Sequence, residues 1–465
     1  MHSVPSPSAS KPQISDYTRI RARSIRFLIL LAAVLALAFF LSLRAGSYNT
    51  PAAELIRGIF GRASDAKINL VIRNNRLPRI CTAMVAGAGL GLAGCILQAV
   101  LRNPLASAST LGVSQGATFG AAVAIIGLGL SQAGSWAIPL CSFLGSLLVA
   151  AVILGLSQFK QISSEGIVLA GVAISSMLTG ATTLLQYFAD EVALSSLVFW
   201  TFGDLGSTDW QSLRGMALAV LLLIGYCYLH RWDYNALLSG EETALSLGIN
   251  VQRLTLTNVV LTCLVCSIIV SNVGLINFIG LVAPHIVRMV VGNNYIYLIP
   301  GSVLAGAALL LLSDLAARVV IMPVILPIGA LTAFLGGPLF LYLLFPLLRW
   351  GLRKQPLLTW VVVLAASLPV HYMGWDARLV AIHIPEFLLG MAFVHWKRPA
   401  RLGVLAGCAV LLFTPAAADG KVACALFSAA AFILLAALGG CIHWVPLQNT
   451  CALLSKYSYA AFLTH

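Results

Sequence analysis

Charged side chains are scarce in this 465-residue chain: only 9% of residues are Asp, Glu, Lys or Arg, while 60% are hydrophobic. A soluble domain ordinarily carries about a quarter charged residues, and without them a folded chain has little polar exterior to offer water. The shortage excludes an ordinary soluble fold, and a bilayer removes the demand for such an exterior. Alternation with period two is also missing. The apolar runs are continuous, which excludes a β-barrel and favours spanning helices of about 20 residues each. A phosphate-binding loop is absent as well. Such a loop needs G-x-x-x-x-G-K-[ST] so that backbone amides and a lysine cradle the phosphates. Gly420-Lys421 is followed by Val422 and lacks the upstream glycine. The chain is expected to bind no cofactor, and any ATP must be used by a partner subunit.

Clustered metal ligands are lacking too. The ten cysteines are scattered. Cys263 and Cys266 form a C-x-x-C inside an apolar run with no second pair, and His285 stands alone in APHIVR. Neither a metal site nor a redox role is expected. Trp200 and Trp210 read as interfacial anchors. Acids are fewer than bases, which gives a net charge of +13. In a membrane chain this reflects basic cytoplasmic loops rather than nucleic-acid binding.

What is present is a succession of apolar runs. Residues 2–18 are Ser/Pro-rich and predicted to be disordered. Arg19, Arg21, Arg23 and Arg26 then precede the run Phe27 to Leu43, after which no small-residue cleavage site follows. This reads as a first span with a cytoplasmic N-terminus, not a cleaved signal. Ten spans are predicted up to residue 348, at 27–43, 80–101, 109–130, 136–157, 166–188, 213–229, 254–273, 278–291, 297–317 and 330–348. Arg102, Lys160, Arg231, Arg253, Arg288, Arg349, Arg353 and Lys354 all fall on the cytoplasmic side of that winding. One loop breaks the rule. Arg44, Arg57, Arg62, Lys67, Arg73, Arg76 and Arg79 lie between the first two spans, on the external side, against Glu54 and Asp65. A basic external surface suits electrostatic steering of an acidic partner. Gly87, Gly89, Gly91 and Gly94 mark the second span as one that neighbouring helices approach closely.

Residues 76–116 read RLPRICTAMVAGAGLGLAGCILQAVLRNPLASASTLGVSQG. Further on come LAGVAIS (169–175), FWTFGDLGSTDW (199–210), LSLGI (245–249), GLINFIGLVAPHIVRMVVG (274–292), LLLSDLAARV (310–319) and LPIGALTAFLGGPLFLYLL (326–344). In this order and spacing the chain from about 20 to 348 resembles the permease family of ferric-siderophore, haem and vitamin B12 importers, the type II ABC importers. The resemblance implies an all-α integral membrane fold with a ten-helix permease, acting in the bacterial inner membrane. It implies a second permease copy, most simply in a homodimer, together with an ABC ATPase subunit and an extracytoplasmic substrate-binding protein. The substrate would be a metal chelate and the surroundings membrane lipid.

The resemblance also assigns roles. Arg76 and Arg79 of RLPR and Arg318 of D-x-x-A-R would dock glutamates of the binding protein, a task suited to bidentate guanidinium. Asp314 and Arg318, four apart on one helix face, also read as a charge-neutralising pair. Gly240, Glu241, Glu242, Ala244, Leu247 and Gly248 would form a coupling helix on the ATPase, with Gly248 as its C-terminal cap. Asn103 and Leu105, flanking Pro104, and Ser163 and Ser164 would close the cytoplasmic end of the path. Their simpler reading is turn chemistry. No catalytic residue is expected.

Three domains are read: a basic cytoplasmic N-terminus at 1–26, the permease at 27–350, and a membrane extension at 351–465 with four or five further apolar runs. In the extension, IPEFLLGMAF (384–393) and LSKYSYAAFLTH (454–465) resemble the last helices of membrane acyltransferases that O-acylate sugars. The part of that family with its catalytic histidine is missing, and His371, His383, His395, His443 and His465 do not match its position. The extension is therefore expected to be inactive. The alternative is a bifunctional fusion or a membrane acyltransferase acting on a sugar or lipid acceptor. An ion-coupled transporter is disfavoured by the near absence of acids in the spans besides Asp314.

Overall fold

Helix α1 (Pro12–Arg44) begins well before the apolar run that demands it. It takes in residues 12–18 of the stretch expected to be disordered, with proline, which is preset for the first helical position, at its start. The structure is a computed structural model that describes residues 12–45, 51–130, 136–157, 164–321 and 324–333. The chain divides into a unit ending at Gly336 and a second unit, Gly337–His465, which lies outside the described residues. The extension and its acyltransferase resemblance therefore lie outside them too.

Every regular element among the described residues is helical. Short helices α2 (Ala52–Ile59) and α3 (Ala66–Val71) lead through a π turn at Ile72–Arg76 into α4 (Leu77–Val100). The stretch Ala66–Val100 is one continuous apolar helix of 35 residues. Such a helix runs about 52 Å, well beyond the roughly 30 Å of a hydrocarbon core. After α4 come α5 (Val113–Ala122), whose last turn is a π turn at Val123–Gly127, then α6 (Ala137–Ser157) and α7 (Ser164–Tyr187). Next are α8 (Glu191–Phe202), α9 (Trp210–Leu229), α10 (Arg231–Leu238) and α11 (Glu241–Ser246). The described chain closes with α12 (Val251–Val273), α13 (Ile279–Val291) and α14 (Tyr295–Val319).

Seven described helices are long and apolar enough to cross a membrane, and they meet seven of the ten predicted spans. Of the other three, the eighth is met by Ile279–Val291, within one residue of the predicted 278–291. The third is shorter than predicted: its helix covers only Val113–Gly127, because an irregular stretch takes up part of the depth. Most of the tenth predicted span, 330–348, lies outside the described residues. Helix α8 has no counterpart among the predicted spans. Asp190 caps it by accepting from the Ala193 N–H at 2.6 Å.

Helix α4 is the buried axis of the fold, with Leu92, Ala93, Cys95, Ile96 and Leu97 all inaccessible. Its glycines explain how neighbours come so close. A side chain at Gly87 would strike the Gly306 carbonyl of α14, and one at Gly94 would strike the Gly280 carbonyl of α13. A second such seam joins α5 to α6, where Gly116 and Gly145 face each other's backbone. Apolar tails of lipid offer no less than apolar side chains, so close backbone contact of this kind is what holds helices together in a bilayer.

Candidate functional site

Residues 101–112 form no helix, yet Ala106, Ser107 and Leu111 are buried. The segment satisfies itself. The Ser107 N–H donates to Thr110 Oγ1 at 2.9 Å, and that hydroxyl donates to the Ser107 carbonyl at 2.8 Å. Asn103 Oδ1 accepts from the Leu105 N–H at 2.9 Å. The segment reaches Gly171 of α7, where a side chain would meet Leu111 Cα and the Thr110 carbonyl, both at 2.8 Å. Gly171 lies about 10 Å along α7 from its start at 1.5 Å per residue. Irregular backbone at such depth is tolerated only when buried in protein or lining a polar cavity.

Both conditions hold. A cavity of about 430 Å³ is lined by Ser109, Thr110 and Gln115 on one side and by Val172, Ser175, Ser176 and Thr179 of α7 on the other. No charged side chain lines it. Ser175 and Thr179 donate their hydroxyl protons to the Gly171 and Ser175 carbonyls at 2.7 and 2.8 Å, and Ser176 donates to the Val172 carbonyl at 3.1 Å. Their lone pairs therefore remain as acceptors. The Gln115 amide oxygen has no partner. A smaller cavity joins Ser107 and Ser109 to the second irregular stretch, at Ile276 and Phe278.

At the end predicted to be external, three arginines converge. Arg79 Nε donates to Asp314 Oδ1 at 2.8 Å, and Arg318 Nε lies 3.0 Å from Asp314 Oδ2. Arg318 Nη1 also donates to the carbonyls of Ser42 and Ala45, and buried Arg76 donates to that of Leu43 at 2.8 Å. Asp314 is fully buried. Its pairing with Arg318 is the i,i+4 contact read from the sequence. Its bond to Arg79, 235 residues away, carried no sequence signal. The Nη2 groups of both Arg79 and Arg318 are buried without a partner. Asp204, 59% exposed, reaches Arg79 Nη1 at 3.9 Å. Farther out, Arg57 pairs with Glu54 at 3.0 Å, and the Ser64 N–H bound to Glu54 holds that carboxylate below its usual pKa. Arg44, Arg62, Lys67 and Arg73 are exposed. Trp210 donates its indole N–H to the Arg73 carbonyl at 2.9 Å.

At the opposite end, α11 spans Glu241–Ser246 between Gly240 at φ +108° and Gly248 at φ +84°. Gly248 N–H bonds the Leu245 carbonyl and Ile249 N–H bonds that of Ala244, the paired closure of a left-handed glycine cap. Ala244 is buried, while Glu242, Leu245 and Leu247 are exposed. Sequence reading missed α10, where buried Tyr234 donates to Asn258 of α12 at 2.7 Å. Asn103 and Leu105 sit near the start of the irregular segment, at the end predicted to be cytoplasmic. Ser163 lies outside the described residues, and Ser164 is described only as the first residue of α7. No group of three potential metal ligands occurs among the described residues.

Known proteins resemble this chain over about two thirds of its length. The FecCD transport family matches residues 34–346. The chain is 44% identical over 342 residues to a provisionally named ABC transporter permease of Methanocaldococcus jannaschii, covering 72% of this chain and 98% of that one. It is 35% identical over 322 residues to the vitamin B12 import system permease of Salmonella typhimurium, covering 69% and 95%. A solved structure described as the inward-facing conformation of a provisionally assigned metal-chelate type ABC transporter matches with a TM-score of 0.61 and 32% identity, over 69% of this chain and 99% of that one. The family match ends at residue 346, before the extension for which an acyltransferase resemblance was expected.

Proposed function

This chain belongs to the FecCD transport family and is thus a multi-pass membrane permease of an ABC importer, not an enzyme; from that premise we propose that it carries a metal chelate of the ferric-siderophore, haem or cobalamin class across the inner membrane. The observation that supports this cargo is the uncharged cavity between the 101–112 segment and α7. Its volume of about 430 Å³ falls in the range of roughly 300–1,000 Å³ typical of small-molecule sites. Hydroxyl lone pairs and an amide suit a polar chelate whose metal charge is already satisfied by its own donors. A bare cation would demand carboxylates. On this reading a second copy closes the open side of the path along α7, where Leu169 and Met177 are exposed.

The test is uptake into proteoliposomes holding the chain with its ATPase and binding protein, against a labelled panel of ferric siderophores, haem and cobalamin. ATP-dependent import of at least one is expected, and removing residues 351–465 should leave it intact. Import of none would refute the cargo class.

On the same reading the binding protein docks over Arg76, Arg79 and Arg318. Support comes from the exposed Arg44, Arg62, Lys67 and Arg73 around them and from Asp204, an exposed carboxylate on Arg79 that a partner's glutamate can displace. The path would close at Asn103, Leu105, Ser163 and Ser164, and the ATPase would seat on α11 through Glu242, Leu245 and Leu247. Asp204→Asn should tighten docking up to about fivefold, the scale of an exposed ion pair, whereas Arg79→Gln should weaken it. Both effects should shrink in high salt. Binding-protein affinity measured on nanodisc-held permease checks this, and two unchanged affinities would remove the docking assignment.

A further inference from the structure

Glu241, the first residue of α11, turns toward its own chain. Arg102 Nη2 donates to Glu241 Oε2 at 2.8 Å, across 139 residues of sequence. We infer that this pair is the link through which motion of α11 reaches the cytoplasmic mouth of the path, so that Glu241 faces the permease rather than the ATPase. The inference rests on the transport reading above and adds to it a named connection.

Three observations carry it. Arg102 immediately precedes Asn103, whose side chain fixes the Leu105 N–H at the mouth. A displacement of Arg102 is therefore passed directly into the 103–105 turn. The Arg102 backbone sits at φ +49°, in the left-handed region, one of two non-glycine residues among those described to do so. L-residues avoid this region, and it persists where surroundings over-determine it, often at switch points. Lastly, α11 is a closed unit between two glycines of positive φ, each with nothing within 4 Å of where a Cβ would stand. Ala244 is its buried anchor, Thr243 Oγ1 donates to the Ser239 carbonyl just before it at 3.1 Å, and Glu241 makes the side-chain bond that reaches the distant mouth segment.

Stability does not account for the pair. Both side chains are about half exposed, at 49% and 47%, and ion pairs so placed contribute little to folding. Their effect is positional. The link makes the turn follow α11 in both directions, so an ATPase-driven shift is read at the mouth without a flexible loop between.

The test compares wild type with Arg102→Glu, Glu241→Arg and the double exchange, each in proteoliposomes with ATPase and binding protein. Import is followed with whichever chelate of the panel wild type carries, and hydrolysis by phosphate release. Each single variant should bind the ATPase and hydrolyse ATP near the wild-type rate while import per ATP falls about tenfold. The double exchange should recover at least half of that ratio. Unchanged import per ATP in the single variants would overturn the link, as would a double exchange no better than either single. Loss of ATPase binding in Glu241→Arg alone would also overturn it, because Glu241 would then be an ATPase contact. Failure of wild type to import anything would instead strike the transport reading itself.

Discussion

Gly94→Ala is expected to destroy the folded permease. The added methyl group lands on the backbone carbonyl of Gly280, not on the tip of a flexible side chain that could rotate away. Overpacking ordinarily costs about 1–3 kcal/mol when side chains can adjust. Here α13 would have to withdraw from α4, the most buried of the spanning helices, so a loss above about 3 kcal/mol is expected. Gly225→Ala on α9 is the control: nothing lies within 4 Å of its Cβ position. In a helix interior that exchange gains up to about 1 kcal/mol. Thermal unfolding and size-exclusion profiles of the two purified variants should separate sharply. A Gly94→Ala protein as stable as wild type would mean that α4 and α13 do not meet as described.

Asp314→Asn should be the other severe lesion, although it removes no volume. The carboxylate is fully buried and compensates two guanidiniums, Arg79 at 2.8 Å and Arg318 at 3.0 Å. Removing one partner of a buried pair typically costs about 3–5 kcal/mol, because an uncompensated charge is left behind. With Arg76 close by and bonded to the Leu43 carbonyl, the site would hold three cations and no anion of its own element. Asp204→Asn removes a carboxylate from the same arginine at 3.9 Å, but from an exposed position, and should change stability by less than about 1 kcal/mol. Unfolding in detergent at fixed lipid content measures both. Equal stabilities for Asp314→Asn and wild type would show that Asp314 does not hold the arginines. The same geometry bears on charge reversal as a probe of docking. Glu at position 79 or 318 would place a second carboxylate against Asp314, so a loss of docking in those variants would be confounded with a loss of fold.

The sequence was most legible where the physics is local. Continuous apolar runs announced seven spanning helices, the four-residue spacing announced Asp314 with Arg318, and Gly240 and Gly248 bracketed α11 correctly. Contacts made by the fold were silent. Arg79 finds Asp314 over 235 residues and Arg102 finds Glu241 over 139, and nothing in either neighbourhood specifies the other. The shortened α5 was half legible. Asn103 to Gly112 holds proline, serines, threonine and glycine in place of an apolar run, and that composition marks an irregular segment. Its depth, however, depends on Gly171 letting the backbone approach. At the start of the chain, a Ser/Pro-rich composition concealed the helix from Pro12, since a helix already nucleated in the membrane can extend through residues that would not start one.

The unbroken helix from Ala66 to Val100 has a thermodynamic consequence. Arg79 lies on it and Arg102 follows two residues after its end. On the docking and coupling readings, a protein ligand outside bears on Arg79 within this helix and a nucleotide inside bears on Arg102 just past its end, so one helix serves both as a lever. Linkage then requires reciprocity: whatever factor ATP imposes on the affinity for the binding protein, the binding protein must impose on the affinity for ATP. An importer built on such a lever senses its loaded partner and its fuel as a single equilibrium, and measuring either affinity with and without the other ligand gives the coupling factor that both share.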